Sequence, residues 1–411
     1  MTKRDVESPM GEKPETPESN ASGTEPGVFD PEVAANPQQF HGPMREASPV
    51  TRLEDMALLT RHEDVHGALR SPEVFSSQFD AIQIGQVRPL IPLQIDPPDH
   101  VKYRRLLDPL FAPREVAGLE GDVRRLADDL IDDFIEDGRC EFDTQFAIPF
   151  PCTVFLRLMG LPHEDLDLFL RFKNKIIRPK AGDLEAQQVI RNATGQEIYA
   201  YFEKVIDERE REPRDDLISG FLSAEVDGHS LSRNDVLDIC YLFLLAGLDT
   251  VTASLGCAMS YLAQHPDRRD ALVEDPSLIP GAIEELLRWE TPVPAVPRMV
   301  MEDTEVDGEV LHAGETVMCL LASANTDEGY FDNPEDVDFE REANKHLTFG
   351  AGVHRCLGSH LARLEMRVAL EALHRRIGDY ALADGEAPRY GMGIREVEYL
   401  PLLFTPGVRA G

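Results

Sequence analysis

The 411-residue sequence is short of basic residues: 41 Lys and Arg stand against 75 Asp and Glu, a net charge of −34. Long-range repulsion from that imbalance argues against nucleic acid or an anionic membrane as a partner for the whole molecule. Cysteine is scarce too. The six, at 140, 152, 240, 257, 319 and 356, form no Cys-x-x-Cys pair and no cluster, which excludes a zinc ribbon or an iron–sulfur ligand set; any cysteine chemistry must come from a single thiol. The N-terminal stretch lacks the apolar run of a secretory signal and is too acidic for a transit peptide, so a reducing cytoplasm is the expected location. No internal repeat is present, no Gly/Pro-rich linker divides the body, and no flavin or nicotinamide fingerprint occurs.

Residues 1–32 carry eight acids, three bases and Pro9, Pro14, Pro17 and Pro26, a composition that cannot bury enough apolar surface to order itself. Residues 1–30 are therefore expected to be a flexible leader, and 31–411 a single large domain. Helical periodicity recurs near 99–111, 119–136, 163–175, 184–211, 234–264, 267–274, 280–290 and 357–377. Strand patterns cluster at Met56–Leu59 and between Pro297 and Ser323, where Asp307-Gly308 and Ala313-Gly314 read as hairpin turns. The expected class is mainly α with small β-sheets (α+β). The nearly charge-free stretch Ile239–His265 raises a membrane question, but Asp249 interrupts it at an insertion cost of about 2.5–3.5 kcal/mol. Ser232 with Asp235 supplies a capping-box start and His265-Pro266 a stop, so a buried central helix about 50 Å long is expected instead.

The chemistry points to Phe349-Gly350-Ala351-Gly352-Val353-His354-Arg355-Cys356-Leu357-Gly358. Here a cysteine ends a glycine-punctuated loop immediately before an amphipathic helix, whose free N–H groups favour a thiolate. Gly352 and Gly358, lacking Cβ atoms, let the backbone approach something flat and bulky. The spacing of Phe349, Gly352, Cys356 and Gly358 resembles the haem-binding loop of the cytochrome P450 family. That resemblance implies a haem b cofactor (iron protoporphyrin IX) with Cys356 as the axial thiolate.

Further motifs occur in the family's order. Ala246-Gly247-Leu248-Asp249-Thr250 resembles its oxygen-binding groove: Ala246 and Gly247 would leave room beside the cofactor, and Thr250 and Asp249 would relay protons. Read without the family, Thr250 bonds a carbonyl one turn back and Asp249 is a solvated acid. Glu285 and Arg288, with Arg341, resemble the structural Glu-x-x-Arg triad. His100 and Arg104, one helical turn apart, would contact the haem propionates together with Arg298 and His354. The likeness spans residues 30–411 and is to soluble bacterial members, notably the camphor-hydroxylase type, with Thr326 and Val337 departing from the usual Arg and Phe.

The implied activity is monooxygenation by O2 of a hydrophobic small molecule (a terpenoid, steroid, fatty acid or aromatic), with a peroxide-using peroxygenase or a non-enzymatic haem sensor or electron carrier as alternatives. Leu90, Ile91, Leu244, Val293 and Val296 fall in substrate-facing regions of the family. Arg88, and the acid-free stretch from Leu168 to Gly182 with Arg171, Lys173, Lys175, Arg178 and Lys180, suggest either a solvated face or an entrance for an anionic substrate. A second gap in the acids, at Lys345, Arg355 and Arg363 and at Lys102, Arg104 and Arg105, suggests docking of an acidic ferredoxin fed from NAD(P)H by a ferredoxin reductase. The family default is a monomer.

Overall fold

The computed structural model describes residues 31–53, 56–78, 84–226, 228–391 and 393–410. The expected leader lies outside these. Helix dominates. The longest helix, Arg233–Gln264, has 32 residues and runs about 48 Å at 1.5 Å per residue. Ser232 accepts from the Asp235 N–H and the Asp235 carboxylate accepts from the Ser232 N–H, the reciprocal cap expected from the sequence. The helix is apolar on nearly all sides because it is surrounded by protein, packed by the helices Pro149–Leu158, Leu166–Ile177, Leu184–Arg211 and Ile279–Glu290. It is the one helix among the described residues long and apolar enough to cross a membrane, but most of its apolar window is buried.

This helix belongs to two cores. Val236 to Leu248 pack with Phe155, Phe169, Phe202 and Phe221, while Val251 to Ala263 pack with Phe146, Leu286 and Leu373. The Ala246–Thr250 stretch falls where one core gives way to the other. Small and polar residues interrupt the packing there, and a cavity opens.

A five-stranded sheet runs in the order Val50–Arg52, Met56–Leu59, Thr316–Cys319, Val296–Val300, Phe75–Ser76; only the Met56–Leu59 and Thr316–Cys319 pair is parallel. Asp307 (φ 48°) and Gly308 (φ 81°) make the expected two-residue hairpin between Thr304–Val306 and Glu309–Leu311. Ala313-Gly314 does not make a hairpin. Its turn links Glu309–Leu311 to Thr316–Cys319, strands that sit in different sheets and do not pair. The helix Pro149–Leu158 was not expected from the sequence. Its Pro149 and Pro151 lie in the first turn, where no intrahelical N–H partner is needed, and its near-total burial erases the polar face that periodicity detects.

Glu285, Arg288 and Arg341 meet in the interior. Both Glu285 and the Arg288 side chain are 0% exposed and pair at 2.8 Å. All five N–H groups of Arg288 are used: two on Glu285, the others on the carbonyls of Asn325, Pro334 and Asp336. Glu285 also accepts from Arg341, Asn344 and the Asp338 N–H. Removing one partner of such a pair strands the other's charge in the core. Arg288→Ala should therefore lose about 3–5 kcal/mol of stability, read as a lowered denaturant midpoint in chemical unfolding.

Candidate functional site

The Arg288 network leads directly to the cysteine loop. Asn325, whose carbonyl Arg288 holds, donates to Thr291 and Thr348 and accepts from the Leu347 N–H at 2.6 Å, and Thr348 donates to the Leu287 carbonyl. These bonds fix the approach to Phe349. The loop then closes with Cys356 N–H donating to the Phe349 carbonyl at 2.8 Å, and Arg104 donating to the Arg355 carbonyl at 2.8 Å. The helix Ser359–Ile377 begins three residues after the cysteine.

Cys356 opens onto a cavity of ≈ 530 Å³ that also meets Ala246, Gly247 and Thr250 of the long helix. The residue is exposed, but to this enclosed wall: burial pushes its thiol up, opposed by the Gly358 N–H and by Arg104, Arg355 and Arg363. The other five cysteines are buried, their thiols driven up by desolvation (to about 12 for Cys140 and Cys152), and are inert hydrophobes.

Of the sequence-predicted residues, His100, Arg104, Arg298, His354, Phe349, Gly350 and Gly358 all line the cavity, as do Val293 and Val296. The His100 and His354 rings pack at a tilt of 58° with centroids 4.4 Å apart. His354 also faces Asp96 at 3.4 Å; burial, then His100 and Arg298, hold its pKa at about 4, so it is neutral at physiological pH. The His100 Nε2 atom is buried without a partner. Thr250 donates its hydroxyl to the Ala246 carbonyl at 3.0 Å, so the back-bond and the cavity position coexist.

Several expectations are corrected. Leu90, Ile91 and Leu244 are core residues absent from the cavity wall. Arg88 is absent as well: its guanidinium holds Asp238 at 2.7 and 3.0 Å and lies over the Tyr199 ring, whose hydroxyl shares the same carboxylate. That segment is clamped further by Tyr241 donating to the Ile84 carbonyl at 2.6 Å and by a close backbone approach, since a Cβ on Gly195 would lie 2.0 Å from the Gly85 carbonyl oxygen. Gly352 (φ +66°) makes room for the Leu69 carbonyl rather than for a ligand, and Gly247 accommodates the Phe155 ring.

Asp249 is neither solvated nor on the cavity wall. It is fully buried and gripped by Lys173 at 2.8 Å and Arg178 at 3.0 Å. The basic stretch is therefore split: Lys173 and Arg178 turn inward to Asp249, while Arg171, Lys175 and Lys180 are exposed. Glu365 was missed. It lines the cavity with its carboxyl buried and Oε2 unpartnered, and desolvation pushes its pKa well above the ordinary carboxylate value. Its signal was an acid four residues after Leu361, on the apolar face of its helix.

A family model described as cytochrome P450 matches residues 161–376. The chain is also 35% identical over 373 residues to the steroid C26-monooxygenase of Mycolicibacterium smegmatis, covering 88% of this chain and 91% of that one. The chain belongs to the cytochrome P450 family. It is a bacterial-type haem-iron monooxygenase. Solved P450 structures agree. CYP109Q5 from Chondromyces apiculatus superposes with a TM-score of 0.84 at 35% identity, covering 93% of this chain and 98% of that one. CYP109E1 from Bacillus megaterium in complex with testosterone gives 0.85 at 27%, covering 91% and 99%.

The residues of this P450 fit a haem. A lone accessible thiol stands on the cavity wall, and the orphaned His100 Nε2 with Arg104, Arg298 and His354 offers donors that two propionates would satisfy. Cys356→Ser should abolish the thiolate signature in the carbon-monoxide difference spectrum of the reduced protein. His100→Ala with Arg104→Ala should retain that signature but lose haem faster in a transfer assay to apomyoglobin.

Proposed function

We propose that this P450 oxygenates an uncharged, steroid-sized hydrophobic molecule, with haem b as its cofactor and a ferredoxin as its electron donor in the cytoplasm. The observation that carries the substrate class is the composition of the wall around Thr250: Leu242, Phe243, Leu158, Val293, Ala295 and Val296 are apolar, and the cations on the wall are those of the propionate cradle. Arg88 and Arg178, which would have greeted an anionic substrate, are committed to Asp238 and Asp249. The relative acting on a steroid and the neighbour holding testosterone support the same class.

When bound, haem supplies the activation of O2. The chain's part is to hold the substrate in the apolar wall, keep water out and manage protons. With its own proton on the Ala246 carbonyl, the Thr250 oxygen keeps its lone pairs for accepting at the cavity wall, and Asp249 on the adjacent residue provides an ionisable group behind it. The Asp249–Thr250 pair favours O2 over peroxide as oxidant, since peroxide brings its own protons.

Ferredoxin dependence rests on Arg355, Lys345 and their neighbours, although Arg363 is bound bidentately to Glu284, Lys102 to Asp99 and Arg104 to Asp108, which weakens the positive surplus. Reduction by an acidic ferredoxin should slow as ionic strength rises.

Titration of the haem-loaded enzyme with steroids, terpenoids, fatty acids and aromatic acids tests the substrate class. A low- to high-spin shift with neutral steroids and none with the acids is expected; the reverse order would overturn the proposal. Thr250→Ala should keep that shift but form roughly tenfold less product per electron consumed.

A further inference from the structure

Arg178 is shared. Its NH2 lies 3.0 Å from Asp249 Oδ2 and its NH1 3.4 Å from Oδ1, and the same NH2 is also in ion-pair contact with Glu396. Glu396 comes from the far end of the chain, just before the strand Val397–Tyr399, and is 6% exposed. Among the described residues its Oε1 has Arg178 as its one ion-pair contact, whereas Asp249 also holds Lys173 at 2.8 Å, so Glu396 is the carboxylate with fewer partners. Gly391 backs it closely: a Cβ there would sit 2.8 Å from Glu396 Oε1. The contact is built into the chain, but it leaves a buried acid half-satisfied.

We propose that Glu396 is a positioning residue for proton delivery: it competes with Asp249 for one guanidinium, so its ionisation sets how firmly Asp249 is held. The inference rests on the reading that Asp249 and Thr250 manage protons for the cavity.

Every charged group around Glu396 enters the argument. Lys173 and Arg178 face it from the helix Leu166–Ile177 and its end, Asp249 from the long helix, and Asp143 from the turn Asp143–Ala147, with Glu141 and Glu398 beyond. Arg395, its chain neighbour, turns away to Glu290. With Glu396 and Asp143 both protonated, two cations serve the single anion Asp249 and grip it fully. Ionising Glu396 adds a second claimant on Arg178 and loosens that grip. Desolvation, then the charge of Asp249, lifts Glu396 to about 7, and desolvation with Glu141 lifts Asp143 to about 7, so the exchange falls at physiological pH. Protons come and go at the Arg178 edge, where that side chain is 25% exposed. Because the folded state keeps protons that the unfolded chain has released, this cluster's contribution to stability is present at acidic pH and is lost as pH rises from about 4.5 to 7.

The test compares Glu396→Gln, Glu396→Asp and Asp249→Asn in the haem-loaded full chain, with a ferredoxin system and the substrate identified by spin shift. Infrared difference spectra across neutral pH should show two buried carboxylic acids titrating in the wild type, from Glu396 and Asp143, and only the Asp143 band remaining in Glu396→Gln. In that variant kcat should fall roughly tenfold at about pH 8, less than for loss of a direct proton donor, and no longer rise with pH. The solvent isotope effect should grow while substrate affinity stays unchanged, and Glu396→Asp should restore the pH dependence. A Glu396→Gln profile that superimposes on the wild type while Asp249→Asn is impaired sinks this inference alone. Full coupling in Asp249→Asn sinks the proton-managing reading along with it. If Glu396→Gln does not hold haem, the decision falls to the wild-type infrared titration, and no carboxyl titrating near neutrality there overturns the proposal.

Discussion

The buried pairing of Glu285 with Arg288 is the interaction on which the site depends. A guanidinium with every N–H used and no solvent contact has one arrangement open to it, and three of its bonds end on backbone carbonyls outside its own helix. Those carbonyls belong to the segment whose Asn325 side chain then ties down Leu347 and Thr348. The cysteine loop is thus hung from a saturated ionic joint rather than from its own packing. This suits a loop that must present a bare thiol to a large cavity: the face toward the cavity has few protein atoms to hold it, so restraint has to come from behind.

A similar economy governs the long helix. Its ends are anchored in two separate cores, and the stretch between them is free to be small and polar. The acidic surplus of the chain is not spread evenly through this region. Around Asp249 the charges alternate, carboxylate and cation, across three segments distant in sequence. Such a cluster keeps an ionisable group close to the cavity without leaving it as an isolated buried charge, whose desolvation would force it neutral.

Most of the helices were legible in the sequence. Leu184–Arg211 and the cap at Ser232 are as the periodicity and capping chemistry require. The cysteine loop was legible because backbone-dictated glycines and one thiol sit within ten residues. What escaped depended on distance along the chain. Asp249 read as a solvated acid or a free relay because its partners Lys173 and Arg178 lie more than 70 positions away. Arg88 read as a substrate contact because nothing near it reveals Asp238, 150 positions on. Leu90, Ile91 and Leu244 are apolar whether they face a ligand or a core, and composition cannot tell the two apart. The helix Pro149–Leu158 was hidden by prolines that local rules count as breakers.

The near-contact of Gly85 with Gly195 has a consequence for how this enzyme could diversify. With the Gly195 Cβ position only 2.0 Å from a carbonyl oxygen, neither glycine accepts a side chain without moving a backbone, and Tyr241 pins the same segment. That segment, which leads toward Pro92, Leu93 and Gln94 of the cavity wall, is therefore closed to side chains at both glycines. Val293, Ala295, Val296 and Pro297 line the cavity directly and carry ordinary side chains where the chain enters a sheet strand. Evolution or engineering of substrate scope has an asymmetric landscape here, with tolerated steps concentrated on the 293–297 side.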